Sequence, residues 1–435
     1  MTETVAHMDA ESPGLVDFLT TRIWDYLLVF LVVVMTVMGP KVFGLVQLAV
    51  IFPLIMLAAR RDFSTLFNFR RSDLIFIAFV MQYLVWHYFI AKSYPLSDLP
   101  SPVRPIERPS MWFFGIIASV FVIWRFASMQ NIKEVWRVVA PVGLAVCFAI
   151  MLVDYSTDYL GTECRAKAFV FNPIIPPVFF TMFTIGSFID WTNLSRREKQ
   201  IRYLLVAMAV IFATAFAGSR MILIVQVLAF GCLAFLIPLK KEDDGRWKTV
   251  IWIGAAGFLG LVAGMVIDAI TQCGFSNRML NLFFSVALLD TGQDVSVGAR
   301  AELYVRAIEA VRANPWVGYG ITYEKILSAP WPHVHNQYLS WMIWGGVTSL
   351  VSGVGFFIAA SVAPALSRSK DAYAIIIATA GIFLVNSFTD TLLYHPDVDI
   401  QYFLGIAMFF ALGRTLAQQP NVAPRSAVDR KDAKA

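Results

Sequence analysis

Apolar residues run along this chain in long stretches separated by short polar segments, and that pattern predicts helices that cross a membrane. A hydrocarbon core of about 30 Å takes roughly 20 residues of helix. That ruler marks spans near 23–38, 42–59, 74–91, 111–128, 137–153, 174–190, 249–267, 374–391 and 400–417, with a further one over 337–361. The run from Tyr203 to Leu239 is too long for one crossing, since as a single helix it would extend about 56 Å. Gly218, Ser219 and Arg220 sit in its middle, so the turn of a hairpin is expected there and about twelve spans result.

Alternating the connections between two sides puts about 23 of the 35 Lys and Arg on the side that holds both termini and about 12 on the other. Both termini are therefore expected in the cytoplasm. The basic loops on that side are compact: Arg60, Arg61, Arg70 and Arg71, then Arg196, Arg197, Lys199 and Arg202, then Lys240, Lys241, Arg246 and Lys248.

The expected organisation is a cytoplasmic tail over 1–22, a single membrane domain over 23–417 and a disordered cytoplasmic tail over 418–435. The first 22 residues lack the basic start and cleavage site of a secretory signal, so the first span is expected to stay in the mature protein. On the non-cytoplasmic side one segment, 268–336, is too long to be a simple connector, which usually marks a functional element. Within it, Leu303, Ala307 and Ala310 share one face beside Tyr304, Ile308 and Val311, predicting an amphipathic helix over 296–313 that Asn314-Pro315 ends.

Composition agrees with a membrane protein: 58% of residues are hydrophobic and only 15% charged, against about 25% charged in soluble domains. The net charge of +5 arises from the topological loops, which removes nucleic acid as a partner. Cys147 and Cys232 fall in spans, whereas Cys164 and Cys273 fall on non-cytoplasmic loops, where a disulfide and two free thiols are both open. Gly260 and Gly264 form a small-residue pair suited to close helix packing, within this chain or between chains.

Topology does not ask for Arg165, Lys167, Arg220 or Arg300, which lie on the less basic side. Arg220 sits in an apolar run, where a cation is costly unless it is paired or reaches water; it either serves a site or snorkels to the interface. Arg165 and Arg300 are either site residues or solvated loop charges. Together such guanidiniums would suit a diphosphate, because Arg presents planar forked donors and keeps its charge. His333 and His335 precede a span that Asn336 opens, and one imidazole there is placed to act as a general base. The pair offers metal ligands too, but the carboxylates Asp290, Asp294 and Glu324 are scattered and no third ligand stands at usual spacing, so no metal or other cofactor is expected. There is no phosphate-binding Walker loop, dinucleotide fingerprint or His-Glu-x-x-His helix, and the middles of the spans lack the carboxylates of proton-coupled carriers.

Four stretches taken in order resemble the O-antigen ligase and polymerase superfamily of bacterial envelope glycosyltransferases. They are Arg165-Ala-Lys167 with Phe171-Asn172-Pro173; Ala217-Gly218-Ser219-Arg220; Gly298-Ala299-Arg300 through Asn314-Pro315-Trp316-Val317-Gly318-Tyr319-Gly320; and His333-Val334-His335-Asn336-Gln337-Tyr338-Leu339 leading through Gly345-Gly346. The resemblance covers roughly residues 20 to 415. It implies an all-α, GT-C-like fold of about twelve transmembrane helices with a helical periplasmic loop, in the bacterial inner membrane. It implies a periplasmic active site using an undecaprenyl-diphosphate-linked glycan, with neither nucleotide nor metal. On the matching residues it assigns catalysis to His335 and diphosphate binding to Arg220, Arg300 and Arg165, with Lys167, Tyr304, His333 and Asn336 in supporting positions. Within that family the leading expectation is a ligase that joins O-antigen to the lipid A core of lipopolysaccharide. A polymerase extending the glycan on its carrier and an oligosaccharyltransferase acting on protein are alternatives, and a lipid-glycan flippase is the alternative of a different class.

Overall fold

A computed structural model of the chain describes residues 22–39, 132–158, 175–236, 245–274, 295–320, 333–366, 371–388, 390–391 and 396–418, together with residues 74, 75, 77, 78, 81, 276, 277, 280, 323, 324, 327 and 328. The expected spans at 42–59 and 111–128, and most of 74–91, lie outside these residues, as do Arg165 and Lys167.

All regular structure among the described residues is helical. In chain order the helices are α1 (Arg22–Met38), α2 (Ile132–Asp158), α3 (Ile175–Gly186), α4 (Arg196–Ile211), α5 (Arg220–Leu236), α6 (Gly245–Thr271), α7 (Val295–Ala313), α8 (Gln337–Leu366), α9 (Ala372–Asn386) and α10 (Pro396–Gln418). Among the described residues four apolar stretches are long enough to cross a membrane, in α2, in α4 with its extension, in α6 and in α8; α1, α3, α5, α9 and α10 contain shorter apolar helices. Many large apolar side chains on α6 face outward, among them Ile251, Phe258, Leu259 and Val266. In water such a face would be unstable; against lipid tails it costs nothing.

The expected hairpin is present. A π-helical turn, Phe212–Phe216, extends α4, the chain turns through Ala217–Ser219, and α5 starts at Arg220. The two arms lie side by side, since Gln226 Nε2 donates to the Ala209 carbonyl at 2.8 Å and to Thr181 Oγ1 at 2.8 Å. Gly260 and Gly264 pack within the chain: a Cβ at Gly260 would lie 2.6 Å from the Ala207 carbonyl oxygen, so α6 meets the backbone of α4 directly.

Ring contacts establish which helix ends share a side of the bundle. Tyr155 of α2 packs on Phe216 at 5.1 Å, Phe212 on Phe180 of α3 at 5.1 Å, and Phe179 on Phe383 of α9 at 5.8 Å. The Gln337 amide that opens α8 donates to the Ser387 carbonyl just beyond α9. At the opposite end Arg202 is buried and donates to the carbonyls of Arg137, Ser187 and Glu198, while Arg137 pairs with Glu198 at 2.5 Å. Ser195 and Glu198 form a capping box that starts α4 there. Arg196, Arg197 and Lys199 sit at this second end.

The outer ends of α1 and α10 lie at the same basic end. Thr36, near the far end of α1, accepts from Gln401 early in α10, and Tyr402 packs on Phe383 at 4.2 Å. The outer ends of α1 and α10 thus share the end that holds Arg196, Arg197 and Lys199. Cys147 and Cys232 are free, Cys273 is disulfide-bonded, and Cys164 lies outside the described residues.

Helix α7 buries Leu303, Ala307 and Ala310, the face the sequence predicts, although Ile308 is exposed. Asn314-Pro315 ends it, and the following loop docks on α8 at a break in that helix. Gly345 and Gly346 leave helical geometry, Gly346 with φ of 64° and ψ of −155°, and the freed backbone groups pair with the loop. Tyr319 N donates to the Ile343 carbonyl at 2.6 Å, Gly320 N to Trp344 at 2.9 Å, and Val347 N to Pro315 at 2.9 Å. Gly318 has φ of 71°, and a Cβ on it would lie 2.7 Å from Gly345 N. Glycine is required on both sides of this contact.

Candidate active site

The residues ahead of α8 are held from several directions. Val334 N donates to Glu324 Oε1 at 2.9 Å, His335 N to His333 Nδ1 at 3.2 Å, Asn336 N to Thr391 Oγ1 at 3.1 Å, and Gln337 N to the Ser387 carbonyl at 2.8 Å. Asn336 also caps α8, its Oδ1 accepting from Leu339 N, while its Nδ2 donates to the Phe388 carbonyl. The Tyr304 hydroxyl donates to the His335 carbonyl at 3.0 Å. His335 adopts φ of 59°, a left-handed conformation uncommon in residues with a side chain, and these bonds hold it there.

The His335 imidazole meets the carboxylate of Asp390, Nδ1 to Oδ1, at 3.2 Å. Asp390 is buried, and its Oδ1 also accepts from Thr391 N at 2.9 Å. Burial works against its ionisation, but the hydrogen bond from His335, helped by the Arg300 charge, outweighs it and holds the carboxyl below its ordinary range. An ionised carboxylate only accepts, so Nδ1 of His335 carries the hydrogen and Nε2 keeps a lone pair. A histidine whose Nδ1 is tied to a buried carboxylate is oriented as a general base requires.

The two histidines divide by environment. Their rings lie 4.2 Å apart, but the side chain of His335 is 19% exposed and that of His333 only 3%. Burial pushes the His333 imidazole down to about 4, with the Asp390 charge only partly offsetting it. His333 is therefore neutral near pH 7 and accepts a bond from the His335 backbone.

The expectation that no third group joins the histidines is corrected here. His333, His335 and Asp390 bring ligand atoms within 4.8 Å of one another, a grouping able to hold a metal ion. His333 Nδ1 accepts from His335 N and Asp390 Oδ1 accepts twice, whereas the buried Asp390 Oδ2 has no hydrogen-bond partner.

Arg300 and Tyr304 stand four residues apart on α7 and so share a face. The Arg300 charge acts on His333, Tyr304 and Asp390, so it lies within electrostatic reach of the imidazole pair. Burial raises the Tyr304 phenol, keeping it a hydrogen-bond donor at neutral pH. Arg220, half-buried, opens α5 at the same end of the bundle, where Gly218 turns with φ of 57° and Ser219 Oγ accepts from Ile222 N. A guanidinium added to the amides of a helix start makes that position attractive to an anion.

Residues 203–352 match the family model described as O-Antigen ligase. The matched stretch contains the hairpin with Arg220, helix α7 with Arg300 and Tyr304, and the histidine pair. This match supports a place in the O-antigen ligase superfamily. No curated protein matches it.

Members of the O-antigen ligase superfamily are glycosyltransferase-like enzymes, ligases and related polymerases of O-antigen assembly, working on lipid-linked glycans and lipid-anchored acceptors. The apolar helices and the family match suggest an integral membrane protein. Asp390 lies beyond the matched stretch and is absent from the residues singled out by sequence. One signal was available: Asp390 closes the apolar run 374–391 on the side where the histidine-led span begins, so alternating topology brings the two together.

Proposed function

We propose that this protein is an O-antigen ligase that transfers a glycan from undecaprenyl diphosphate to the lipid A core during lipopolysaccharide assembly. The observation that carries the reading is the His335–Asp390 pair, with an accessible imidazole and the Arg300 charge within electrostatic reach.

His335 Nε2 takes the proton of an acceptor sugar hydroxyl, and the oxygen attacks the anomeric carbon of the donor. The bond from that carbon to the diphosphate breaks, and its electron pair leaves on the phosphate oxygen. A single displacement inverts the anomeric centre. Arg220 and Arg300, with Arg165 and Lys167 as further cations, take the growing charge of the leaving undecaprenyl diphosphate, a task for which fixed guanidiniums replace a metal ion. Tyr304, His333 and Asn336 hold the loop that aims the base.

The same reading sets the protein in the bacterial inner membrane with about twelve spans in a GT-C-like arrangement, cytoplasmic termini and a periplasmic site. The basic end shared by α1, α4 and α10 supports that orientation, and a disulfide at Cys273 suits an oxidising compartment at the other end.

Deleting the gene in its host tests the assignment. A ligase deletion leaves core-only lipopolysaccharide with long glycan still on the carrier. Core bearing a single repeat would identify a polymerase instead, and donor trapped in the cytoplasmic leaflet a flippase.

A further inference from the structure

Glu324 is a carboxylate at 2% exposure that the reaction above does not use. A buried carboxylate is tolerated only where donors satisfy it. Three do: Val334 N at 2.9 Å, Ser340 Oγ at 2.6 Å, and Trp344 Nε1. All three belong to the histidine loop or the first turns of α8.

The bonds also have a direction. Ser340 spends its hydrogen on Glu324, so in its 3.0 Å contact with Thr391 Oγ1 it must accept, and Thr391 donates. Thr391 in turn accepts from Asn336 N, and its own amide donates to Asp390 Oδ1. A single path therefore runs from Glu324 through Ser340 and Thr391 to the two residues flanking the imidazole contact. Its other arm grips Val334, the residue between the two histidines. Trp344 is fixed at both ends, since its carbonyl accepts from Gly320 N of the docking loop.

We propose that Glu324 is a positioning residue for glycan transfer: it sets the relative placement of the histidine loop and the Asp390–Thr391 segment, and so the alignment of His335 with its carboxylate. The proposal rests on His335 being the base. A carboxylate is needed because its two oxygens accept all three donors; an amide in its place would turn an N–H toward at least one of them.

The chain has five histidines, so 15N-histidine labelling of the full protein in detergent gives a tractable imidazole spectrum. Glu324→Gln is expected to move the signals and titration of His333 and His335. In glycan transfer it should lower kcat roughly tenfold with KM for the lipid carrier little changed, and shift the pH profile, from loss of one buried hydrogen bond. Should Glu324→Gln fail to accumulate, Ser340→Ala cuts the path to Thr391 alone and should give the same changes at smaller size. Unmoved His333 and His335 signals in the variant that folds would overturn the proposal. Signals that move in a protein whose wild type transfers no glycan would leave the positioning role standing and remove the ligase reading.

Discussion

The His335 imidazole and the Asp390 carboxylate lie 3.2 Å apart although 55 residues separate them in the chain. One stands ahead of α8 and the other just past α9, so the pair forms only when two antiparallel helices start and finish at the same level of the bundle. The contact orients the exposed ring nitrogen, and it links the order of the spans to chemistry.

Asp390→Asn keeps the shape of the contact but removes the charge that selects the Nδ1–H tautomer. Transfer should fall by about a hundredfold or more in kcat, the scale of a general base, with KM for the carrier changed far less. Steady-state kinetics in detergent checks this, and near-normal turnover would show that the carboxylate does not orient the base.

The arginine site makes a different demand. Arg300→Ala should lower kcat/KM by about a hundredfold, the size of a charge-assisted contact to a developing anion, and Arg300→Lys should recover part of the loss because it restores charge without the fork. Equal activity of the two variants would argue that planar recognition plays no part.

Burial of His333 makes stability depend on pH. Its folded pKa is about 4, below the unfolded value near 6.5, so the unfolded chain binds the proton more readily. The neutral ring's contribution is fully present above about pH 6.5 and is lost as pH falls toward about 4. Thermal unfolding midpoints should drop across that window, and His333→Gln should flatten the drop. An unchanged profile in the variant would remove His333 as the source.

Gly346 has a backbone conformation that residues with a side chain avoid, and a Cβ there would strike the Pro315 and Trp316 backbone. Gly346→Ala should cost about 2 kcal/mol or more, seen as a lower unfolding midpoint in detergent. A midpoint equal to wild type would mean that the loop and the broken helix separate at no cost.

Much of the fold was legible because a bilayer imposes a length on apolar runs. The ends of α1, α2, α6 and α10 fall close to the spans marked by that ruler, and Gly218–Arg220 is where the overlong run turns. The buried face of α7 was legible from its spacing. The break at Gly345–Gly346 was not, since hydropathy is blind to a backbone that leaves helical geometry inside an apolar stretch. Of the candidate site residues, Arg220, Arg300 and His335 were legible as charges and a titratable ring that topology does not require. Asp390 was missed because it ends an apolar run instead of interrupting one, and Glu324 was set aside because nothing in its local sequence shows the three donors that surround it. The assignment of distinct environments to His333 and His335 needed burial, which two residues so close in sequence do not reveal.

The most direct measurement is glycan transfer by purified His335→Ala beside the wild type, in detergent with a chelator present, from a synthetic lipid-diphosphate glycan to isolated lipid A core. Wild type is expected to transfer with inversion of the anomeric centre. The variant should still bind the carrier while its turnover falls by about a hundredfold or more. Transfer by His335→Ala at close to the wild-type rate would contradict the assignment of the base.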